Sequence, residues 1–406
     1  MDRPPNIVII GGGPAGTFAA IAARKQNPDA HVVLLTEEHC EPYEKPPLSK
    51  AVLLGKVQPH DALIAGPAGV ASHNVALEVR SCCASIDRAS SEVVLQDGRR
   101  IPYDALVIAT GSVAREIPIL PPGMPRVHYL RTEADAQALK AALGSAGHLL
   151  VVGGGLIGLE VAASAAELGV KTTVLEVAPR ILARVCDEET GAIVHRAHVA
   201  HGVDLRVGTA LRSASALPDG RISATPDNGE PLTADLIVVG TGARPDDRLA
   251  ASAGLVTDDG IVVDEHCRTS DPSIYAAGDV VRFPGPHGPV RLENWRHAQD
   301  QGTVAGRNAA GARDAYVTVP SFWSEQYDLY IQGVGWPVPG AHRVRRPLPG
   351  NAVLVFEVHE GRLTFAMGIN VQRDLAAARR LIERRTPVDP AALVDPGVPL
   401  AGMLKR

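Results

Sequence analysis

One short pattern occurs twice in this chain of 406 residues and leaves few folds open to it. Ile7-Val8-Ile9-Ile10 runs into Gly11-Gly12-Gly13-Pro14-Ala15-Gly16, and 142 residues later Leu149-Leu150-Val151-Val152 runs into Gly153-Gly154-Gly155-Leu156-Ile157-Gly158. Each copy is an apolar run of the kind a buried parallel strand needs, then a G-x-G-x-x-G turn, then an Ala-rich helical stretch. The first glycine permits the tight turn, the second lets a pyrophosphate approach the backbone, and the third packs helix against strand. Free N–H groups at the helix start and the positive end of its dipole then hold the phosphates. A second apolar strand follows each turn and leads to an acidic residue. In the first copy this is His31–Leu35 with Glu37, or its neighbour Glu38; in the second it is Thr172–Leu175 with Glu176. A carboxylate at that place accepts from a ribose 2′-OH and meets a 2′-phosphate as like charge, so Glu176 predicts NADH rather than NADPH. Two dinucleotide sites on one chain predict electrons passing between them, usually between a flavin and a nicotinamide.

The duplication extends further. Asp104–Gly111 and Asp235–Gly242 both read Asp, apolar run, Thr-Gly, which makes Thr110, Gly111 and Gly242 candidates for the cofactor side of each domain. The predicted fold class is therefore α/β, with two Rossmann-like dinucleotide-binding domains, one inserted in the other, and a C-terminal α+β domain. The expected boundaries are 1–112 with 243–318 for the flavin domain, 113–242 for the nicotinamide domain and 319–406 for the third. That third domain is expected to carry alternating strands at 352–358 and 362–369 and an amphipathic helix, Arg373–Arg385. Ser273-Ile274-Tyr275-Ala276-Ala277-Gly278-Asp279 is a short apolar run ending in Gly-Asp, and Asp279 is placed to hydrogen-bond a ribityl hydroxyl beside a helix running to about Asn308. A Pro-rich loop and short helix are expected between Glu41 and Gly55.

Cysteine usage narrows the chemistry. Cys40, Cys82, Cys83, Cys186 and Cys267 are odd in number and contain no C-x-x-C, which argues against a metal site or an iron–sulfur cluster and for a reducing, cytoplasmic setting. The first strand begins by Ile7, leaving no room for a signal peptide, and the most apolar stretch, Leu149–Leu159, is far short of the ~20 residues a membrane span needs. Net charge is −5, with eleven Lys/Arg against six Asp/Glu in residues 341–406. This basic tail is either a solvated helix face or a docking surface for an acidic protein, whereas net acidity without interleaved aromatics speaks against nucleic acid.

The segment Pro42-Tyr43-Glu44-Lys45-Pro46-Pro47-Leu48-Ser49-Lys50 resembles the NADH-dependent ferredoxin reductases that serve oxygenases and cytochromes P450, of the putidaredoxin-reductase and biphenyl-dioxygenase-reductase type. Lys45 stands where that family has Arg, which keeps the charge and loses the bidentate fork. The resemblance covers nearly the whole chain and implies bound FAD and NADH, with Lys50 beside the flavin ring near N5 and Glu160 beside the nicotinamide as the catalytic pair. It further implies Arg131 of Tyr129-Leu130-Arg131-Thr132 on the flavin pyrophosphate, Arg184 near the adenosine phosphate or ribose, and the Cys83 backbone at the adenine. Arg291–Trp295 and Ser321–Tyr327 match segments near the flavin ring, and His297 replaces a family Asn. The implied partner is a small acidic [2Fe–2S] ferredoxin that feeds a Rieske oxygenase or a P450. Disulfide reductases of this fold carry a redox cysteine pair where this chain has Lys45–Lys50, so electrons are expected to leave directly from the flavin. The alternatives are a rubredoxin reductase or NADH oxidase of the same fold, and a redox-dependent signalling module resembling apoptosis-inducing-factor relatives.

Overall fold

A computed structural model describes residues 3–404. The chain divides into two compact units. The first comprises the described residues up to Glu44, then Gln58–Val113 and Ala243–Thr318; the second comprises Lys45–Val57, Ala114–Gly242 and the described residues from Val319 onward.

The first unit is built on a five-stranded parallel sheet in the order Ile274–Ala276, Ala105–Ile108, Asn6–Ile10, His31–Leu35, Ala76–Glu78. The central strands are apolar runs buried along nearly their whole length, as expected where helices cover both faces of a parallel sheet. The glycine turn after Ile10 opens the helix Pro14–Gln26, whose Ala-rich face packs against the helix Trp295–Ala309. The expected helix directly after Asp279 is replaced by a hairpin, Val281–Gly285 with Gly288–Val290, and the helix begins only at Trp295 with Asn294 as its N-cap. Pro284, Pro286 and Pro289 in so short a stretch remove the N–H groups a helix needs, while the turn at Gly288 takes a φ of +118°.

The second unit repeats the sheet in the order Val127–Tyr129, Leu236–Val239, His148–Val152, Lys171–Glu176, Asp204–Val207, all parallel. Its glycine turn opens the helix Leu156–Glu167. The same unit holds a five-stranded antiparallel sheet ordered Ser321–Gln326, Leu329–Gly335, Arg362–Ile369, Val353–His359, His342–Arg346. One face of that sheet shares a core with Leu159, Ile181 and Ile193, and the other packs under the amphipathic helix Gln372–Glu383. Val353–His359 is consequently buried on both faces up to Val358, and the alternation expected at 352–358 is absent. The segment Pro46–Ser49 forms a single 3₁₀ turn. No described helix is long and apolar enough to cross a membrane.

Candidate functional site

The two glycine turns have the same geometry. Gly11 and Gly153 each have φ +114°, a conformation only glycine adopts without strain, and each donates its N–H at 2.8 Å to the last leucine of the neighbouring strand, Leu35 or Leu175. A Cβ on Gly11 would stand 2.2 Å from the Ala109 carbonyl oxygen, and one on Gly153 would stand 2.4 Å from that of Gly240. At the third glycine a Cβ would lie 1.8 Å from Gly11 O in the case of Gly16 and 2.1 Å from Gly153 O in the case of Gly158. The middle glycines differ in kind: a Cβ on Gly13 or Gly155 meets nothing within 4 Å, so the backbone there fronts open space.

Helix capping shows what that space suits. In the helices Glu133–Leu143, Glu188–Ala200 and Trp295–Ala309 one first-turn N–H each, of Asp135, Thr190 and His297, is taken by the side chain of Thr132, Asp187 or Asn294. The two glycine-turn helices have no side-chain cap. Their unpaired N–H groups and positive dipole ends form a donor set for phosphate. Both turns therefore fit a dinucleotide pyrophosphate, as the expected FAD and NADH require.

The strand ends beyond the turns are different. Glu176 accepts from Gly154 N–H at 2.6 Å through one carboxylate oxygen and from Ala178 N–H at 2.7 Å through the other, which fixes its plane at the turn. In the first unit Thr36 occupies the equivalent contact, 2.7 Å from a Cβ on Gly12. Glu37 beyond it is exposed, while Glu38 accepts a hydrogen bond from the buried Tyr43 hydroxyl. Arg184 lies beside Gly242, its guanidinium 3.8 Å from a Cβ built there, and Ile157 at the second helix start is half exposed.

Several other first-unit candidates sit around the first helix start. Gly278 approaches so closely that its Cβ would be 2.7 Å from Ala15 Cβ, and the adjacent Asp279 accepts from Ser112 Oγ at 3.0 Å. The Thr110 hydroxyl donates to Asp246 O at 2.7 Å, leaving the Thr110-Gly111 turn held from behind. Trp295 packs edge-on against Phe18 at 6.0 Å, and burial pushes up the carboxyl of Glu44. His297 is fully buried, stacked on Phe283 at 5.0 Å, with Nδ1 2.7 Å from the Tyr316 hydroxyl. Burial holds its ring neutral, with a pKa of about 4. Lys45, Lys50 and Arg131, assigned to the flavin by resemblance, belong to the second unit, where Lys45 opens the Pro46–Ser49 turn and Arg131 N–H donates to Asp135 at 3.0 Å.

Lys50 and Glu160 meet. Lys50 Nζ stands 3.2 Å from Glu160 Oε1, Ser324 Oγ donates to the same oxygen at 2.5 Å, and Ser49 Oγ donates to Oε2. Ser164 in turn donates to the Ser49 carbonyl at 2.9 Å, tying the Pro-rich segment to the helix Leu156–Glu167. The carboxylate is only 6% exposed, so a charge is held in the interior by one cation and two hydroxyls. Ser49 and Ser324 lie inside the segments that resemble the family, but their convergence on Glu160 has no signature in the chain; the nearest signal is two polar residues, Ser324 and Gln326, that share the face of Phe322 on the strand Ser321–Gln326.

All five cysteines are unbridged. Burial pushes the Cys83 thiol up to about 12 and Cys186 to about 11, and Cys267 higher still, which removes their thiolates from neutral-pH chemistry. The basic tail is partly structural. Arg346 is 3% exposed, donates to the Leu393 and Ala392 carbonyls and lies over Phe356, while Arg343 pairs with Glu357 and Arg345 with Glu189. Arg346 is thereby excluded from any docking surface.

Residues 5–302 match the family model described as pyridine nucleotide-disulphide oxidoreductase, and residues 321–404 match a reductase C-terminal model. The anthranilate 1,2-dioxygenase system ferredoxin–NAD(+) reductase component of Burkholderia cepacia is 40% identical over 100% of both chains. Rhodocoxin reductase of Rhodococcus erythropolis is 36% identical over 96% of this chain and 92% of its own. Among solved structures, the covalent putidaredoxin reductase–putidaredoxin complex aligns with a TM-score of 0.93 at 33% identity, covering 100% of this chain and 99% of the other. The chain belongs to the pyridine nucleotide-disulphide oxidoreductase family, among its ferredoxin–NAD(+) reductases.

Proposed function

We propose that this chain is a cytoplasmic, FAD-containing NADH:ferredoxin reductase that delivers electrons to a small acidic [2Fe–2S] ferredoxin serving a Rieske oxygenase or a cytochrome P450. The observation that carries the reading is the pair of matched, uncapped glycine turns, since two pyrophosphate sites on one chain call for two dinucleotides. In this reading Gly11, Gly13, Pro14, Ala15 and Gly16 hold the FAD pyrophosphate at the first helix. Glu37 and Asp279 accept from its hydroxyls, and Thr110, Gly111, Trp295 and the Cys83 backbone complete the first unit's share. The turn Gly153 to Gly158, with Leu156 and Ile157, holds NADH. Glu176 accepts from the ribose, and Arg184 and Gly242 flank it. Glu160 and Lys50 place a fixed, paired charge on the nicotinamide side. Bound FAD supplies the conversion of a two-electron hydride into single electrons. The roles of Lys45, Lys50 and Arg131 toward the flavin rest on the resemblance alone.

The purified protein should carry FAD and reduce a [2Fe–2S] ferredoxin with NADH far faster than it consumes O2. Fast O2 consumption with no ferredoxin reduction would make it an NADH oxidase. Slow reduction followed by a long-lived charge-transfer complex would favour a signalling module.

A further inference from the structure

A line of side chains in the second unit runs from its surface to Glu160. The Tyr327 hydroxyl lies 3.3 Å from His198 Nδ1, and His198 Nε2 lies 2.9 Å from Gln326 Oε1. Gln326 Nε2 donates to Ser324 Oγ at 3.1 Å, and Ser324 Oγ donates to Glu160 Oε1 at 2.5 Å. His198 and Ser324 are 0% exposed and Gln326 is 1% exposed. At the outer end the exposed His201 stacks on the Tyr327 ring at 3.7 Å.

The chemistry of the groups fixes the order of the donors. An ionised Glu160 can only accept, so Ser324 gives it its single proton and must itself accept from Gln326. That sets the amide with nitrogen toward Ser324 and oxygen toward His198. His198 Nε2 therefore carries the ring proton, and Nδ1 accepts from Tyr327. Burial keeps this ring neutral, with a pKa of about 4. Each donor thus points inward, and each bond polarises the next toward the carboxylate. None of these contacts pairs a backbone group, so holding the chain trace does not require them. An apolar filling of the same volume would satisfy packing at little cost. An amide does not pass a proton along, so the line orients rather than conducts.

We propose that His198 and Gln326 are positioning residues for the NADH half-reaction: through Ser324 they lock the orientation of the Glu160 carboxylate against Lys50. The inference rests on the assignment of Glu160 to the nicotinamide side made above.

The test measures the limiting rate of flavin bleaching by NADH, together with the NADH dissociation constant, in His198→Leu, Gln326→Met and His198→Gln. His198→Leu and Gln326→Met should each lower the limiting rate by up to about tenfold, the upper size of one lost hydrogen bond between neutral groups, with FAD content and NADH affinity little changed. His198→Gln, whose side-chain amide can donate where Nε2–H did, should stay within about twofold of the parent by the same reasoning. A purely structural role reverses that ranking, because Leu suits the apolar surroundings better than Gln. In a Glu160→Gln background His198→Leu should add no further loss. Independently of turnover, 15N shifts of the His198 ring should report the neutral Nε2–H tautomer at pH 7. Parental bleaching rates in both His198→Leu and Gln326→Met, or an Nδ1–H tautomer, overturn the inference while leaving Glu160 its role if Glu160→Gln is slow. A parental rate in Glu160→Gln overturns the Glu160 assignment itself.

Discussion

The helices Pro14–Gln26 and Leu156–Glu167 begin alike and are covered differently. Both follow the central strand of a five-stranded parallel sheet, both start at a glycine with φ +114°, and both leave their first N–H groups uncapped. The first is covered by the helix Trp295–Ala309 in direct backbone contact, where a Cβ on Gly302 would be 2.2 Å from Ala15 O and one on Gly306 would be 2.0 Å from Ala19 O. The second is covered by the turn carrying Ser49 and Lys50 and by the strand carrying Ser324, with the Glu160 charge enclosed among them. The glycine turn solves one problem, phosphate binding, and solves it twice in the same way. The segments laid over the two helices differ in kind: a helix that approaches through Gly302 and Gly306 over the site proposed for FAD, and a charged, hydroxyl-rich cluster over the site proposed for NADH.

The sharpest way to break this comparison is to spoil one turn at a time. Gly16→Ala and Gly158→Ala each drive a methyl into a backbone carbonyl and should cost more than ~4 kcal/mol locally. Gly16→Ala should purify without flavin, whereas Gly158→Ala should keep its flavin and lose bleaching by NADH; loss of flavin in both variants would mean that the turns are not separately assigned. Acid should act on both units together, because each encloses a neutral histidine, His297 in the first and His198 in the second, with ring pKa values of about 4 against 6.5 unperturbed. Unfolded rings take a proton below ~6.5 and the folded ones do not. Their contribution to stability is therefore complete above ~6.5 and is lost as the pH falls toward 4, by up to about 3 kcal/mol each. Thermal melts from pH 7.5 to 4.5 check this, and a flat midpoint for the parent would contradict it.

A smaller effect belongs to the charged cluster. Lys50→Ala should retain FAD yet slow reduction by NADH tens-fold, about 2 kcal/mol of barrier, measured by stopped flow. Smaller again is the strand-end carboxylate. Glu176→Ala should narrow the NADH over NADPH preference in kcat/KM, and it should also lower the melting temperature by a few degrees, because Gly154 and Ala178 lose their acceptor. An unchanged cofactor ratio with a lowered melting temperature would leave Glu176 only its structural duty.

The parts legible in the sequence were those whose physics is local. A G-x-G-x-x-G turn needs its glycines for steric reasons that act within six residues, so both cradles, the parallel strands and the acidic strand end at Glu176 could be read from the chain. The hairpin after Asp279 was missed because an Ala- and Gly-bearing stretch from Trp295 reads as one long helix unless the prolines at 284, 286 and 289 are given their full weight. Burial of Val353–His359 on both faces depends on two packing partners distant in sequence, which alternation cannot report. The tail arginines read as a surface, yet Arg346 is spent on carbonyls of a segment that only folding brings near it. The Glu160 cluster joins residues 49, 50, 160 and 324, and no spacing rule connects them.

The central claim is that two dinucleotide sites exchange electrons on this chain without a thiol relay. Anaerobic titration of the purified protein with NADH, followed at the flavin absorbance, tests it most directly. One equivalent of NADH per FAD should bleach the flavin completely, with no further uptake and no change when Cys40 is replaced by Ser. Uptake of a second equivalent, or its loss with Cys40→Ser, would contradict the claim and place a redox-active thiol beside the flavin.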